Sequence, residues 1–126
     1  MNNKVLVVDD EKDISRLIQI NLRKMGYEAI TLNDSSETLA LAKRERPGLI
    51  TLDIMMPGMD GLSVLETLKS DPETMDIPVI MVSIVAKMNK DRSMQLGATG
   101  FINKPIDFSL LEKEISNSAN TKKTGA

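Results

Sequence analysis

The sequence predicts an α/β fold, a doubly wound parallel sheet in which five strands alternate with five helices. Short runs rich in Val, Ile and Leu recur at strand length, and the longer segments between them space their apolar residues at helical intervals. The runs are apolar along most of their length, as strands covered on both faces require. Right-handed crossovers then distribute the helices over both sides of the sheet.

The first strand is Lys4 to Val8, and it breaks at Asp9. Ile14, Leu17, Ile18, Leu22 and Met25 mark the first helix, which Gly26 ends. Tyr27 to Thr31 forms the second strand, and Pro47-Gly48 stops the second helix. Leu49 to Leu52 is the third strand, closed by Asp53. After a Pro57-Gly58 turn, Asp60 stands where it can cap a third helix carrying Leu62, Leu65 and Leu68. Ile77 to Val82 is the fourth strand and ends in Ser83. Met88 to Leu96 holds few apolar residues and reads as a largely solvated or partner-facing helix, ended by Gly97. Thr99 to Ile102 is the fifth strand, and Phe108, Leu111 and Ile115 mark the last helix. The residues from Asn117 to Ala126 are polar and lack a periodic apolar face, which divides the chain into a domain over 1–118 and a polar tail or linker start over 119–126.

A chain of 126 residues is one domain and long enough for an ordinary core. It contains neither Cys nor His, which excludes disulfides, thiolate nucleophiles, Cys- or His-bound metals, His-dependent triads and any phosphohistidine of its own. With net charge −2 and 2% aromatic residues it lacks the basic face and stacking rings that nucleic acids select, so no direct nucleic-acid binding is expected. The Val5 to Val8 run is far too short for a signal or membrane-spanning segment, so the expectation is a soluble, cytoplasmic protein without membrane association.

In doubly wound sheets, ligands bind beyond the carboxyl ends of the strands where the winding reverses. Here those ends are polar: Asp9-Asp10-Glu11 after the first strand, Asp53 after the third, Ser83 after the fourth, Lys104-Pro105 after the fifth. Each residue has an ordinary reading alone. Asp9 and Asp10 suit a helix cap, Asp53 an exposed loop, Ser83 a turn, Lys104 a solvated surface and Phe101 the core. Their coincidence at successive strand ends points instead to one acidic site with a single ammonium. An oxygen-only ligand set of this kind suits Mg²⁺, which keeps several waters and takes one or two carboxylates.

VLVVDDEKDI, ITLDIMMPGMDGL, PVIMVS and GATGFINKP, in that order, resemble the receiver domain of bacterial two-component response regulators over about Lys4 to Ser118. The resemblance implies the flavodoxin-like (βα)5 fold with strand order 2-1-3-4-5. It implies that Asp53 accepts a phosphoryl group, that Asp9 and Asp10 support Mg²⁺, and that Met55 lends the metal its backbone carbonyl. Ser83 matches the switch hydroxyl, Phe101 the switch aromatic and Lys104 the site lysine, with a cis Lys104–Pro105 bond. The donor it implies is a sensor histidine kinase or histidine phosphotransfer protein acting in trans. The recipient is a downstream effector or a covalently linked output domain, and a phosphorylation-dependent dimer is left open. Such a domain is a signalling element that promotes its own phosphorylation and dephosphorylation rather than an enzyme.

Two departures stand out. Ile84 follows Ser83 where the family usually has a small residue, which keeps alive a receiver-like module that signals by binding alone. Met55 and Val85 flank the site with side chains unable to orient water, from which slow self-dephosphorylation is expected. Met55, Met56 and Met59 are expected to shape a partner surface. Two other doubly wound or Asp-nucleophile classes fit worse: a flavin binder needs a hydroxyl- and Gly-rich loop where three acids stand, and a haloacid dehalogenase-type phosphatase needs an acid at position 55.

Overall fold

The structure, a computed structural model, describes residues 2–57, 60–84 and 87–124, so Gly58, Met59 and Val85 lie outside the described residues. Strands β1 (Lys4–Val8), β2 (Glu28–Leu32), β3 (Leu49–Asp53), β4 (Val79–Ser83) and β5 (Gly100–Asn103) alternate with five helices. These are α1 (Lys12–Lys24), α2 (Thr38–Glu45), α3 (Gly61–Ser70), α4 (Lys87–Gln95) and α5 (Phe108–Thr124). All strands pair in parallel in the order β2-β1-β3-β4-β5. The expected architecture and order are therefore present.

Alternation along the strands sends side chains into two apolar layers. Leu6, Val8, Ile50, Leu52, Val79 and Met81 pack with Ala42 of α2 and with Val64, Leu65 and Leu68 of α3. Val5, Val7, Leu49, Ile80, Val82 and Ile102 pack on the other side with Ile18 and Leu22 of α1 and with Leu111 and Ile115 of α5. The central strands β1, β3 and β4 are covered on both faces and read as largely apolar runs, which made them visible in the sequence, whereas edge strand β2 carries the exposed Glu28 and is only partly buried.

Helix ends also follow local chemistry. Gly26 and Gly97 take φ of 93° and 102°, the left-handed conformation that glycine adopts without a Cβ penalty, just beyond α1 and α4. The Asp60 carboxylate accepts from the Ser63 N–H at 3.0 Å and caps α3. α2 starts after a 3-10 turn over Ser35–Glu37, capped by Asp34, and ends at Arg46 in the left-handed region immediately before Pro47. Helix α5 continues to Thr124, so the polar segment from Asn117 is helical that far.

Each of β2 to β5 runs one residue further than its apolar pattern. The added residues are Leu32, Asp53, Ser83 and Asn103, three of them polar. In the ladders Asp53 lies opposite Val82, and Ser83 lies opposite Asn103. Asp53 and Ser83 are thus held by strand geometry at the carboxyl edge. From β1 the chain winds to β2 on one side and to β3 on the other, placing the reversal between the ends of β1 and β3.

Candidate functional site

Asp9 follows β1 directly and is buried, its N–H donating to Leu32 O at 3.1 Å. Its Oδ1 accepts from the Glu11 N–H at 2.9 Å and its Oδ2 from Lys104 Nζ at 3.0 Å. Neither Asp9 nor Asp10 is the helix cap. Glu11 occupies the cap position of α1 and makes no side-chain cap hydrogen bond. The Asp9 carboxylate is turned toward Lys104 across the sheet edge, leaving the capping reading without support.

Asp53, the last residue of β3, is also buried. Its Oδ2 accepts from Lys104 Nζ at 3.2 Å and its Oδ1 from the Met55 N–H at 3.3 Å. Glycine at position 61 lets α3 begin against this strand end, with the Gly61 N–H donating to Ile54 O at 2.8 Å. A Cβ there would overlap Asp53 O and lie 2.6 Å from Ile54 Cα, so the close approach requires glycine. Lys104 reaches the acids from the turn after β5, where the Lys104–Pro105 peptide is cis. Its Nζ also lies 3.7 Å from Glu11 Oε1.

One ligand oxygen from each of Asp9, Asp10, Glu11 and Asp53 falls within 4.8 Å of the others. Glu11 was visible as the third acid of its run but was not assigned a role from sequence. Burial, and then the negative charge of Asp9, push the Asp53 carboxyl up to about 6, against the opposing pull of Lys104 and the Met55 N–H. Burial acts to lower the Lys104 pKa, but Asp9 and Asp53 outweigh it and the net shift is upward. One ammonium therefore faces more negative charge than it neutralises. The oxygen-only donor set and its excess charge fit a hard divalent cation such as Mg²⁺.

The remaining predicted residues stand at or near the ends of β3, β4 and β5. Ser83 is fully buried, and its Oγ has no hydrogen-bond partner among the described residues. Phe101 lies opposite Met81 in the β4–β5 ladder and is half-buried against the α2–α3 side of the core. Met55 is 64% exposed and Ile84 is 69% exposed. Met55 also lines an apolar groove of about 520 Å³ with Met56, Pro57 and Leu62. Asn33, unnoticed in the sequence, donates its Nδ2 to Asp9 O at 2.7 Å and to Ser15 Oγ at 3.0 Å. The signal available was its place just past the second strand; that it lies level with Asp9 follows only from the β1–β2 register.

No helix among the described residues is long and apolar enough to cross a membrane. The family model described as response regulator receiver domain matches residues 5–116. The response regulator PleD of Caulobacter vibrioides is 40% identical over 112 residues, which are 88% of this chain and 25% of PleD. The alkaline phosphatase synthesis transcriptional regulatory protein PhoP of Bacillus subtilis is 40% identical over 107 residues, 84% of this chain and 44% of PhoP. The chain thus spans less than half the length of these curated relatives. Among solved structures, a CheY-like receiver domain protein of Methanospirillum hungatei superposes with TM-score 0.91 at 27% identity, covering 100% of both chains. The chemotaxis protein CheY4 of Vibrio cholerae gives 0.86 at 29% identity, covering 94% of this chain and 99% of its own. Matching in sequence, in strand order and in extent, the chain belongs to the response regulator receiver domain family.

Proposed function

We propose that this receiver domain, residues 1–118, accepts a phosphoryl group on Asp53 from a phosphohistidine of a sensor histidine kinase or histidine phosphotransfer protein. It then hands its altered state to a downstream effector or a linked output domain. It acts in the cytoplasm as a signalling element rather than as an enzyme turning over a separate substrate. The observation that carries this reading is the bridge by one partly buried ammonium, Lys104, between buried carboxylates at the ends of two different strands.

Phosphoryl transfer demands positioning and charge stabilisation more than covalent chemistry. A carboxylate oxygen of Asp53 attacks phosphorus in line, and the donor imidazole departs with the electrons of the broken P–N bond. Lys104, already within hydrogen-bonding distance of Asp53, steadies negative charge on the transferring group. Asp10, Asp53 and the Met55 carbonyl would hold Mg²⁺ directly, with Asp9 orienting a bound water. When bound there, the ion supplies the positive charge that the cluster lacks.

The product adds negative charge and acceptor oxygens near a buried hydroxyl with no partner among the described residues. Ser83 donates to one of those oxygens, and Phe101, joined to the same pair of strands, repacks and changes the surface that partners read. Phosphorylation biases these two arrangements by its differential stabilisation of one of them.

Amide NMR with beryllofluoride, a phosphoryl mimic, tests this reading. With Mg²⁺ present, resonances of Ser83, Phe101 and Lys104 are expected to shift, and neither Mg²⁺ alone nor Asp53→Asn protein with both additives should reproduce the pattern. No mimic-dependent shift would favour a domain that signals by binding alone, consistent with the bulky Ile84 beside the site.

A further inference from the structure

We propose that Asn33 is a positioning residue for the metal-binding acids, acting through the peptide that joins Asp9 to Asp10; this rests on the reading of that cluster as a Mg²⁺ site. β1 and β2 pair in parallel through Val8 opposite Leu32, which makes Asp9 and Asn33 the first residues past the end of that ladder. Asp9 continues the pairing by donating its N–H to Leu32 O at 3.1 Å. The chain at Asn33 then turns away toward the 3-10 turn, and its side-chain amide takes over, donating to Asp9 O at 2.7 Å. A carbonyl oxygen only accepts, so the nitrogen end of the amide must face it.

The second hydrogen of the same Nδ2 goes to Ser15 Oγ at 3.0 Å. Ser15 is buried in the first turns of α1, where its Oγ donates to Lys12 O and its N–H to Glu11 O, each at 3.0 Å. Asn33 thus ties the acidic loop to both the end of β2 and the start of α1. The bond falls on the one peptide oxygen lying between the two aspartates.

Asp9 and Asp10 differ in what holds them. The Asp9 carboxylate is fastened by the Glu11 N–H and by Lys104. The Asp10 carboxylate accepts no hydrogen bond from the described residues, so its position within 4.8 Å of the other ligand oxygens depends on the backbone beside it. Fixing the Asp9–Asp10 peptide is therefore how this loop presents Asp10. Groups that orient metal ligands typically contribute about 10- to 100-fold to metal affinity, and a bond to the backbone beside the ligand rather than to the ligand itself belongs at the lower end.

The test is the Mg²⁺ dissociation constant, read by calorimetry and by amide NMR at constant ionic strength, for the whole chain and three variants. Asn33→Leu keeps the bulk and removes both donors, Ser15→Ala removes one acceptor but leaves the bond to Asp9 O, and Asp10→Asn removes the ligand. Asn33→Leu is expected to weaken Mg²⁺ binding by about 10-fold, Ser15→Ala to weaken it much less, and adding Asn33→Leu to Asp10→Asn to cause no further loss. Equal affinity of Asn33→Leu and wild type, or equal losses from Asn33→Leu and Ser15→Ala, would overturn the assignment. Failure of the wild type to bind Mg²⁺ would instead overturn the metal-site reading itself. A readout on the unaltered protein covers the case in which Asn33→Leu does not fold: the Asn33 side-chain amide protons are expected to exchange slowly and to shift on Mg²⁺ addition. Rapid exchange without a Mg²⁺ response would refute the role.

Discussion

Lys104 Nζ lies 3.0 Å from Asp9 Oδ2 and 3.2 Å from Asp53 Oδ2, so one ammonium from the turn after β5 joins the ends of β1 and β3. Both carboxylates are buried and their mutual repulsion is held in check by that cation. Lys104→Met should lower the unfolding free energy in the presence of chelator by about 3 kcal/mol, the scale of stranding a buried charge. Mg²⁺ should restore part of the loss. Urea unfolding followed by circular dichroism measures both, and unchanged stability would show that the acids tolerate each other without Lys104.

The Asp53 carboxyl titrates at about 6, raised by burial and then by Asp9 from an ordinary 3.8. The folded state holds this proton more tightly than the unfolded chain, so its contribution to stability is complete below about pH 4 and is lost as pH rises through about 6. Asp53→Asn cannot ionise and escapes that loss. In chelator, the variant should gain on wild type between pH 4 and 7, reaching about 1 to 3 kcal/mol. Urea midpoints across this range provide the comparison; a flat difference, or a gain toward low pH, would contradict the raised pKa.

Ser83 carries a buried hydroxyl with no partner among the described residues. Replacing it by alanine removes an unsatisfied polar group, so the resting fold should be unchanged or slightly more stable, within about 1 kcal/mol. The response should suffer instead. With beryllofluoride and Mg²⁺, Ser83→Ala is expected to lose the Phe101 shift while retaining shifts at Lys104. A Phe101 response like that of wild type would remove Ser83 from the switch.

Nearly all of the architecture is legible because the buried parallel strands β1, β3 and β4 leave largely apolar runs, and Gly26, Gly97 and Asp60 carry local signals for helix ends. The 3-10 turn before α2 was not, since Asp34-Ser35-Ser36 fixes it through short polar contacts without an apolar period. The apolar pattern stops one residue short of the strand end where the last ladder residue is polar, as at Asp53, Ser83 and Asn103. At the site, residue types and order exposed the acids and Lys104, but the contact of Asn33 with Asp9 depends on β1–β2 register. That register is a long-range relationship that periodicity alone does not encode.

Met55 stands 64% exposed beside the acceptor, and its thioether cannot orient an attacking water as an amide can. Phosphorylated protein should therefore lose its phosphate slowly, and Met55→Asn should lose it several-fold faster, short of the roughly 100-fold that a full general base contributes. The decay of the intact-mass adduct after donor removal gives both rates. Equal rates would exclude position 55 as the control point.

Intact mass after incubation with acetyl phosphate decides whether Asp53 is the acceptor. Wild type with Mg²⁺ should gain one phosphoryl group, while chelated wild type and Asp53→Asn should gain none. An adduct that persists in Asp53→Asn, or none on wild type with acetyl phosphate or with a phosphohistidine donor, would contradict the phosphoacceptor account.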